Sequence, residues 1–455
     1  IEAQRQSEGL RPHTTLSGAR AYSDPTSRAV RSGTQVLPDG YQQPGEDGIP
    51  GLAMSTNVGG MGAHWTCACP RPGGAERALP RPDLDELLDE GERLLGVDRH
   101  PFDDAPFADV VRERLAAEFD ADRPAAQHVR AMPLAVHRRS DGALEWSGSD
   151  VVFGEVTRAN SRFELVPEAQ VRRVLIDDGQ VTGVVVRDRR SDEEHVVRAR
   201  FVVVAADAVR TPQLLFASGV RPDALGRYLN DQPQLLLAAR LHNVPDAPVA
   251  EPDDTAIVAQ GGVSWVPYTD AEPFHGQVMQ LDASPVPLAD NDVPSPGSIV
   301  GLGWFCAKDL QASDRLAFED GVDDEYGMPK PEVHYVLTER DHASMAAARV
   351  AIVRAARSLG EPLGGEPFAL VSGASLHYQG TVRMGASDDG TSVCDPDSQV
   401  WGVDGLYVAG NGVISTAIAC NPTLTSVAIA VAGARAIADR LSVGATMPVD
   451  ATSHP

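Results

Sequence analysis

The 455-residue sequence predicts a mixed α/β (α+β) fold. Three observations carry that expectation. Strand-like runs crowd residues 163–205 and end in the apolar segment Phe201-Val-Val-Val-Ala-Ala, which reads as a buried strand. Residues 236–340 alternate strand-like runs with proline-rich loops. Helical periodicity appears at 82–95, 106–119, 341–359 and 421–441.

Residues 1–53 are polar and rich in Gly, Pro, Ser and Arg, which predicts loop with short elements. Residues 54–74 mix glycine with aromatic and small polar residues, a composition suited to a loop lying close to a flat ligand. Pro82–Leu95 and Pro106–Phe119 carry apolar residues at helical spacing. Phe163–Val166, Val171–Ile176, Val181–Val186 and Val196–Ala205 read as the strands of a meander, with turns at Asp177-Asp178-Gly179 and near Ser191. Thr211–Ser218 reads as a short helix opened by Thr-Pro and stopped by Gly219. Ala283–Gly297 reads as a long, mobile loop, and Asp341–Leu359 as an alanine-rich helix. The last helix, Asn421–Leu441, has Asn as a cap and Pro422 in its first turn, and the final dozen residues read as a disordered tail. No internal repeat is visible.

The length exceeds one simple core and predicts two domains, intertwined or sequential. Lys and Arg number 39 against 64 Asp and Glu, for a net charge of -25. Such a field repels nucleic acid and anionic membranes and suits a neutral or weakly charged substrate. No run approaches the about 18 apolar residues of a membrane helix. Cys67, Cys69, Cys306, Cys394 and Cys420 are too few and too scattered for a disulfide framework, and Cys67-Ala-Cys69 lacks zinc-site spacing. The expectation is reduced, packed thiols, no metal and a cytoplasmic protein. No signal peptide is visible, and the chain begins at Ile1.

The most informative segment runs from Leu376 to Leu424. It reads Leu-His377-Tyr-Gln-Gly-Thr-Val-Arg-Met-Gly385, then Asp404-Gly405-Leu-Tyr-Val-Ala-Gly410-Asn411-Gly412, then Cys420-Asn421-Pro422-Thr423. A second lies upstream, Ser55-Thr-Asn-Val-Gly59-Gly60-Met-Gly-Ala-His64-Trp65-Thr66-Cys67. Between them stand Pro133-Leu-Ala-Val-His-Arg-Arg, Gly226-Arg-Tyr-Leu-Asn and Asp324-Glu-Tyr-Gly-Met-Pro-Lys-Pro. Together these resemble the glucose-methanol-choline (GMC) oxidoreductases, in the branch of pyranose oxidases and bacterial glycoside 3-oxidases, over nearly all of residues 50–442.

The resemblance implies an FAD-binding Rossmann-like domain, incomplete at its N-terminus, and a substrate domain with a large antiparallel sheet flanked by helices. It assigns residues 1–75, 160–235 and 385–442 to the first, 76–159 and 236–384 to the second, and 443–455 to a tail. It implies FAD-dependent oxidation of a secondary alcohol of a sugar or glycoside, at C2 or C3. It implies that the electrons then pass to dioxygen or a quinone-like acceptor. Imidazole titrates near neutrality and suits His377 to take the hydroxyl proton. Asn421 is implied as its partner on the substrate hydroxyl, besides its capacity as a helix cap. The positive end of the last helix would stabilise reduced flavin. Gly59, Gly60, His64, Trp65, Thr66, Cys67, Gly410, Asn411, Pro422 and Thr423 are implied to contact FAD, His64 with or without a covalent link. Gln277 and Leu376 are implied on the substrate side, although Gln277 also reads as a solvent-facing strand residue. Gly303 stands where the fungal enzymes carry an arginine, which favours a roomier pocket and a glycoside. Alternatives are another alcohol dehydrogenase of the superfamily, or a truncated homologue without activity. Oligomeric state stays open.

The family's Gly-x-Gly-x-x-Gly turn, which cradles a pyrophosphate, does not precede Met54, and Gly59-Gly60-Met61-Gly62 follows no buried strand. Weak or no FAD binding by these 455 residues is therefore expected.

Overall fold

The computed structural model describes residues 34–445, apart from 38, 64, 104, 139, 141–143, 245–261, 282, 283, 285, 287, 289–293 and 296. In chain order, β1 (Thr34–Val36) pairs with β2 (Ala53–Ser55), and α1 (Leu84–Leu95) and α2 (Ala108–Phe119) follow. Next come β3 (Arg130–Ala131), β4 (Val136–Arg138), β5 (Leu144–Trp146) and α3 (Ser149–Ala159). The meander is β6 (Ala169–Asp177), β7 (Gln180–Asp188) and β8 (Glu194–Arg198), and it leads to β9 (Val202–Val204) and α4 (Asp207–Ala217). Then follow β10 (Gln234–Leu241), β11 (Val263–Val266), β12 (Phe274–Leu281), β13 (Ile299–Cys306), β14 (Arg315–Ala317) and β15 (Glu332–His334). The chain closes with α5 (Glu339–Leu359), β16 (Gly360–Ala369), β17 (Leu406–Val408) and α6 (Thr423–Ala445).

Two sheets frame the site. The larger is antiparallel, in the order β16-β10-β13-β12-β11-β3. Its strands alternate by residue, as period-two geometry requires. Leu235, Val278, Val300, Leu302 and Trp304 pack with Val111 and Leu115 of α2 and Ala348, Ile352 and Ala355 of α5. Leu236, Gln277, Gly303 and Phe305, on the other face, line a cavity. Gly303 pairs with Gln277 on one side and Leu236 on the other. The second frame is the parallel pair β9–β17, joined to a core in which Leu424, Ala428 and Ile429 of α6 meet Leu84, Leu87 and Leu88 of α1.

The helical spacing predicts α1, α2, α5 and α6 to within a few residues, and α6 runs beyond Leu441 to Ala445. Three expectations change. Phe163–Val166 is not a strand; the Phe163 ring packs tilted against Phe153 of α3 at 5.3 Å, and the meander has three strands. Val196–Ala205 is two strands, because β8 pairs antiparallel with β7 whereas β9 pairs parallel with β17. Helix α4 starts at Asp207, not Thr211. The Asp207 carboxylate accepts from the Val209 and Arg210 amides at 2.6 and 2.9 Å and caps the helix from inside. Pro212 then sits within the helix, and the Ala208 carbonyl that its missing N–H would leave accepts from Thr381 Oγ1 at 2.6 Å. The loop expected at Ala283–Gly297 lies partly outside the described residues, as do the last ten residues of the expected tail.

All five cysteines are buried, and none is in a disulfide. Among the described residues, no helix is long and apolar enough to cross a membrane, and no cluster of three His, Cys, Asp or Glu could hold a metal ion.

Candidate active site

A cavity of about 1810 Å³ lies between the inner face of the large sheet and the parallel pair. Drug-sized ligands occupy pockets of roughly 300–1,000 Å³, so this one has room for a dinucleotide with a second molecule beside it. His377 is delivered to it by a loop whose previous residue, Leu376, takes a left-handed backbone at φ 63. A non-glycine residue there is held by its surroundings. Asp231 does the holding: its carboxylate is buried and accepts from the Gly373 amide at 2.9 Å, from the His377 amide at 3.3 Å and from the Ser375 hydroxyl. The phenyl ring of Phe305 lies 5.8 Å from the imidazole and 5.0 Å from that of His275.

The imidazole has polar partners at both nitrogens. Nδ1 lies 2.7 Å from Gln232 Oε1, and Nε2 lies 3.3 Å from Asn421 Nδ2. Asn421 Oδ1 accepts from Gln277 Nε2. The Asn421 side chain is thus engaged with the site. Burial pushes the His377 pKa down to about 4, so the ring is neutral at physiological pH. His275 is pushed further, to about 3, by burial and then by the charge His377 would carry.

The loop before Asn421 is braced from the opposite side by Glu76. Its fully buried carboxylate accepts from the amides of Ala419 at 2.8 Å, Cys420 at 3.0 Å and Gly73 at 2.8 Å. Burial raises its pKa to about 7 against the pull of those three bonds.

Of the residues singled out from sequence, Gly59, Gly60, Trp65, Thr66, Gln277, Leu376, His377, Gly410, Asn411, Asn421 and Thr423 share this one cavity. Gln277 is buried, which settles its orientation against solvent. Cys67 and Pro422 are not in the lining: both are buried in the surrounding structure, and the Cys67 thiol reaches the Ser147 carbonyl at 3.7 Å. His64 lies outside the described residues. Asp231, Gln232 and Glu76 carry no signal in the sequence: the first two stand in the polar run Asn230–Gln234 and Glu76 beside Arg77, and such a stretch reads as solvated loop with no sign of what lies across from it.

GMC oxidoreductase family models match residues 117–234 and 315–430. The chain is 61% identical over 445 residues to a C-glycoside 3-oxidase of Arthrobacter globiformis, covering 97% of this chain and 85% of that protein. The chain belongs to the GMC oxidoreductase family. A pyranose 2-oxidase of Tricholoma matsutake is 35% identical, over 87% of this chain and 75% of its own. The solved structure of formate oxidase from Aspergillus oryzae superposes with a TM-score of 0.67 at 14% identity, covering 96% of this chain and 92% of that one, and shares the fold.

GMC oxidoreductases use FAD, and the described residues fit its flavin end. Gly410 has φ 101 and nothing within 4 Å of where a Cβ would sit, so backbone and ligand can meet closely there. Trp65, Thr66, Asn411 and the start of α6 at Thr423 and Ser426 line the same region. Trp65 is fixed by an indole bond to the Ser147 carbonyl at 2.7 Å, and the Gly59 carbonyl by Ser149 Oγ at 2.8 Å. At the other end the fit is incomplete. No Gly-x-Gly-x-x-Gly turn occurs among the described residues, and β9 pairs there only with β17, leaving Val203 50% exposed.

Proposed function

We propose that this GMC oxidoreductase oxidises a secondary hydroxyl of a glycoside, at C3, to the ketone. The observation that carries the reading is the His377–Asn421 pair, 3.3 Å apart at the cavity wall. His377, neutral through burial, accepts the hydroxyl proton at Nε2. Asn421 Nδ2, held in place because Oδ1 is taken by Gln277, donates to the same hydroxyl oxygen and orients the C–H bond. FAD, when bound, supplies the hydride acceptor, and dioxygen or a quinone-like compound takes the electrons onward. Trp65, Thr66, Gly410, Asn411 and Thr423 would hold the flavin.

Gly303 supports a glycoside rather than a free sugar. It sits between Gln277 and Leu236 on the cavity face, with no side chain to fill the space beside the pair. Leu236, Met279, Phe305 and Phe368 give that part of the wall an apolar character suited to an aglycone. The relatives named C-glycoside 3-oxidase point to the same carbon. The test compares turnover of an aryl C-glycoside with that of glucose, FAD being supplied in excess. Preference for the glycoside with oxidation at C3 is expected; turnover of glucose alone overturns the reading.

His64 is the residue through which a covalent link to FAD would form. Flavin that stays with acid-precipitated protein demonstrates the bond, and flavin recovered wholly in the supernatant rules it out. Five buried cysteines with no disulfide among them support a reducing, cytoplasmic setting.

A further inference from the structure

Gln232 touches both the proton-accepting ring and the backbone that leads to Asn421. Its Nε2 lies 2.6 Å from the Ile418 carbonyl and 2.9 Å from the Cys420 carbonyl, and its Oε1 lies 2.7 Å from His377 Nδ1. The amide is buried and cannot be flipped: the reverse orientation would set its oxygen against the Ile418 and Cys420 carbonyl oxygens with no hydrogen between them, although Ile418 also accepts from Gln379 Nε2 at 3.1 Å. Nε2 therefore donates to the two carbonyls, Oε1 must accept, and His377 must carry its proton on Nδ1. The far side of the ring agrees. Asn421 Oδ1 accepts from Gln277, so Nδ2 is the group turned to His377, and it donates to a lone pair on Nε2.

We propose that Gln232 is a positioning residue that locks His377 as the Nδ1–H tautomer, leaves Nε2 unprotonated toward the cavity, and ties the ring to the backbone that presents Asn421. The proposal rests on the reading of His377 as proton acceptor for its consequence in turnover, but the tautomer itself is a separate observable. Asp231 and Gln232 divide the task as chain neighbours. Asp231 holds the 373–377 backbone, and Gln232 holds the ring. An imidazole with the wrong tautomer presents an N–H where a lone pair is needed, a failure that disables any general-base histidine.

The experiment uses protein labelled with 15N-histidine, the His377 signals being identified by their loss in His377→Ala. In the native protein, the expected spectrum has Nδ1 protonated and Nε2 bare across neutral pH. Gln232→Met is expected to produce a tautomer mixture, with turnover down about 10- to 100-fold and KM within a few-fold. Gln232→Glu keeps an acceptor opposite Nδ1 while its second oxygen meets the Ile418 and Cys420 carbonyls, so its carboxyl is expected to stay protonated, donate to one of them and retain the native tautomer; a folded Glu variant with Nε2 protonated overturns the proposal. The Glu variant also serves if the Met variant does not fold. His275 and Asp231 are the other titratable groups against His377, and both variants leave them in place. A native spectrum with Nε2 protonated overturns the proposal, as does a folded Gln232→Met protein with native tautomer and turnover. Full turnover in His377→Ala, with the Nδ1–H tautomer observed in the native protein, would overturn the proton-acceptor reading and leave the tautomer assignment standing.

Discussion

His377 and Asn421 are 44 residues apart in the chain, and their side-chain nitrogens Nε2 and Nδ2 meet at 3.3 Å. If this pair shares one alcohol oxygen, replacing either residue changes turnover more than affinity. His377→Ala is expected to lower kcat by about 10²- to 10⁴-fold, the range of a positioned general base. Asn421→Ala is expected to cost less, because the base remains. Steady-state kinetics on the aryl C-glycoside measure both, and a native kcat in His377→Ala would remove the imidazole from the reaction.

The pH dependence follows from burial. The His377 pKa is depressed from 6.5 to about 4, so the ring is free to accept a proton at any pH above that value and loses this capacity as pH falls through it. The rate profile is therefore expected to stay flat from pH 7 down to about 5, where an unperturbed histidine would already have lost most of its activity. An acidic limb centred near 6.5 would contradict a ring kept neutral by desolvation.

Stability should move the other way. Glu76 is raised from 4.5 to about 7 and Asp231 from 3.8 to about 6, both mainly by burial. A carboxyl whose folded pKa exceeds its unfolded one contributes stability below the unfolded value and loses it as pH rises through the folded value. The melting temperature is expected to fall between pH 5 and pH 8, with Glu76 accounting for on the order of 3 kcal/mol. Glu76→Gln, which cannot ionise, should show a shallower decline over the same range. A melting temperature that rises across this range would refute the assignment.

The specificity argument turns on Gly303. A Cβ there would meet Leu236 and Phe305 at 3.5 Å and Gln234 at 3.6 Å, which is ordinary contact, so the backbone tolerates a side chain. A long side chain would continue into the cavity. Gly303→Arg is expected to lower kcat/KM for an aryl glycoside by at least about 10-fold while changing that for glucose less. Equal losses on both substrates would show that Gly303 does not border the aglycone.

Cofactor retention tests the open side of the parallel pair. With β9 bonded to β17 alone and no glycine-rich phosphate turn among the described residues, the 455-residue chain is expected to hold FAD below one equivalent. Flavin absorbance of the purified chain measures it, and a stoichiometric yellow protein would overturn the expectation.

What the sequence by itself determined is whatever depends on local pattern. The apolar spacing of 84–95, 108–119 and 339–359 specifies amphipathic helices wherever they land, and the alternation in 169–188 specifies strands. The segments around His377, Asn421 and Gly59–Cys67 were legible because their residue order resembles a family, and most of that set lines one cavity. Where local chemistry was misleading, a distant group had changed the rule. Thr211-Pro212 looks like a helix start until Thr381, 173 residues away from Ala208, supplies the bond that lets the helix begin earlier.

Only the tertiary structure decided the polar support. Gln232 reaches His377 across 145 residues, Asp231 reaches its backbone across 146, and Glu76 reaches Ala419 across 343. A buried amide or carboxylate takes its orientation from the donors and acceptors packed against it, and those are chosen by the fold rather than by chain neighbours. The tautomer of one imidazole is therefore a property of the assembled molecule.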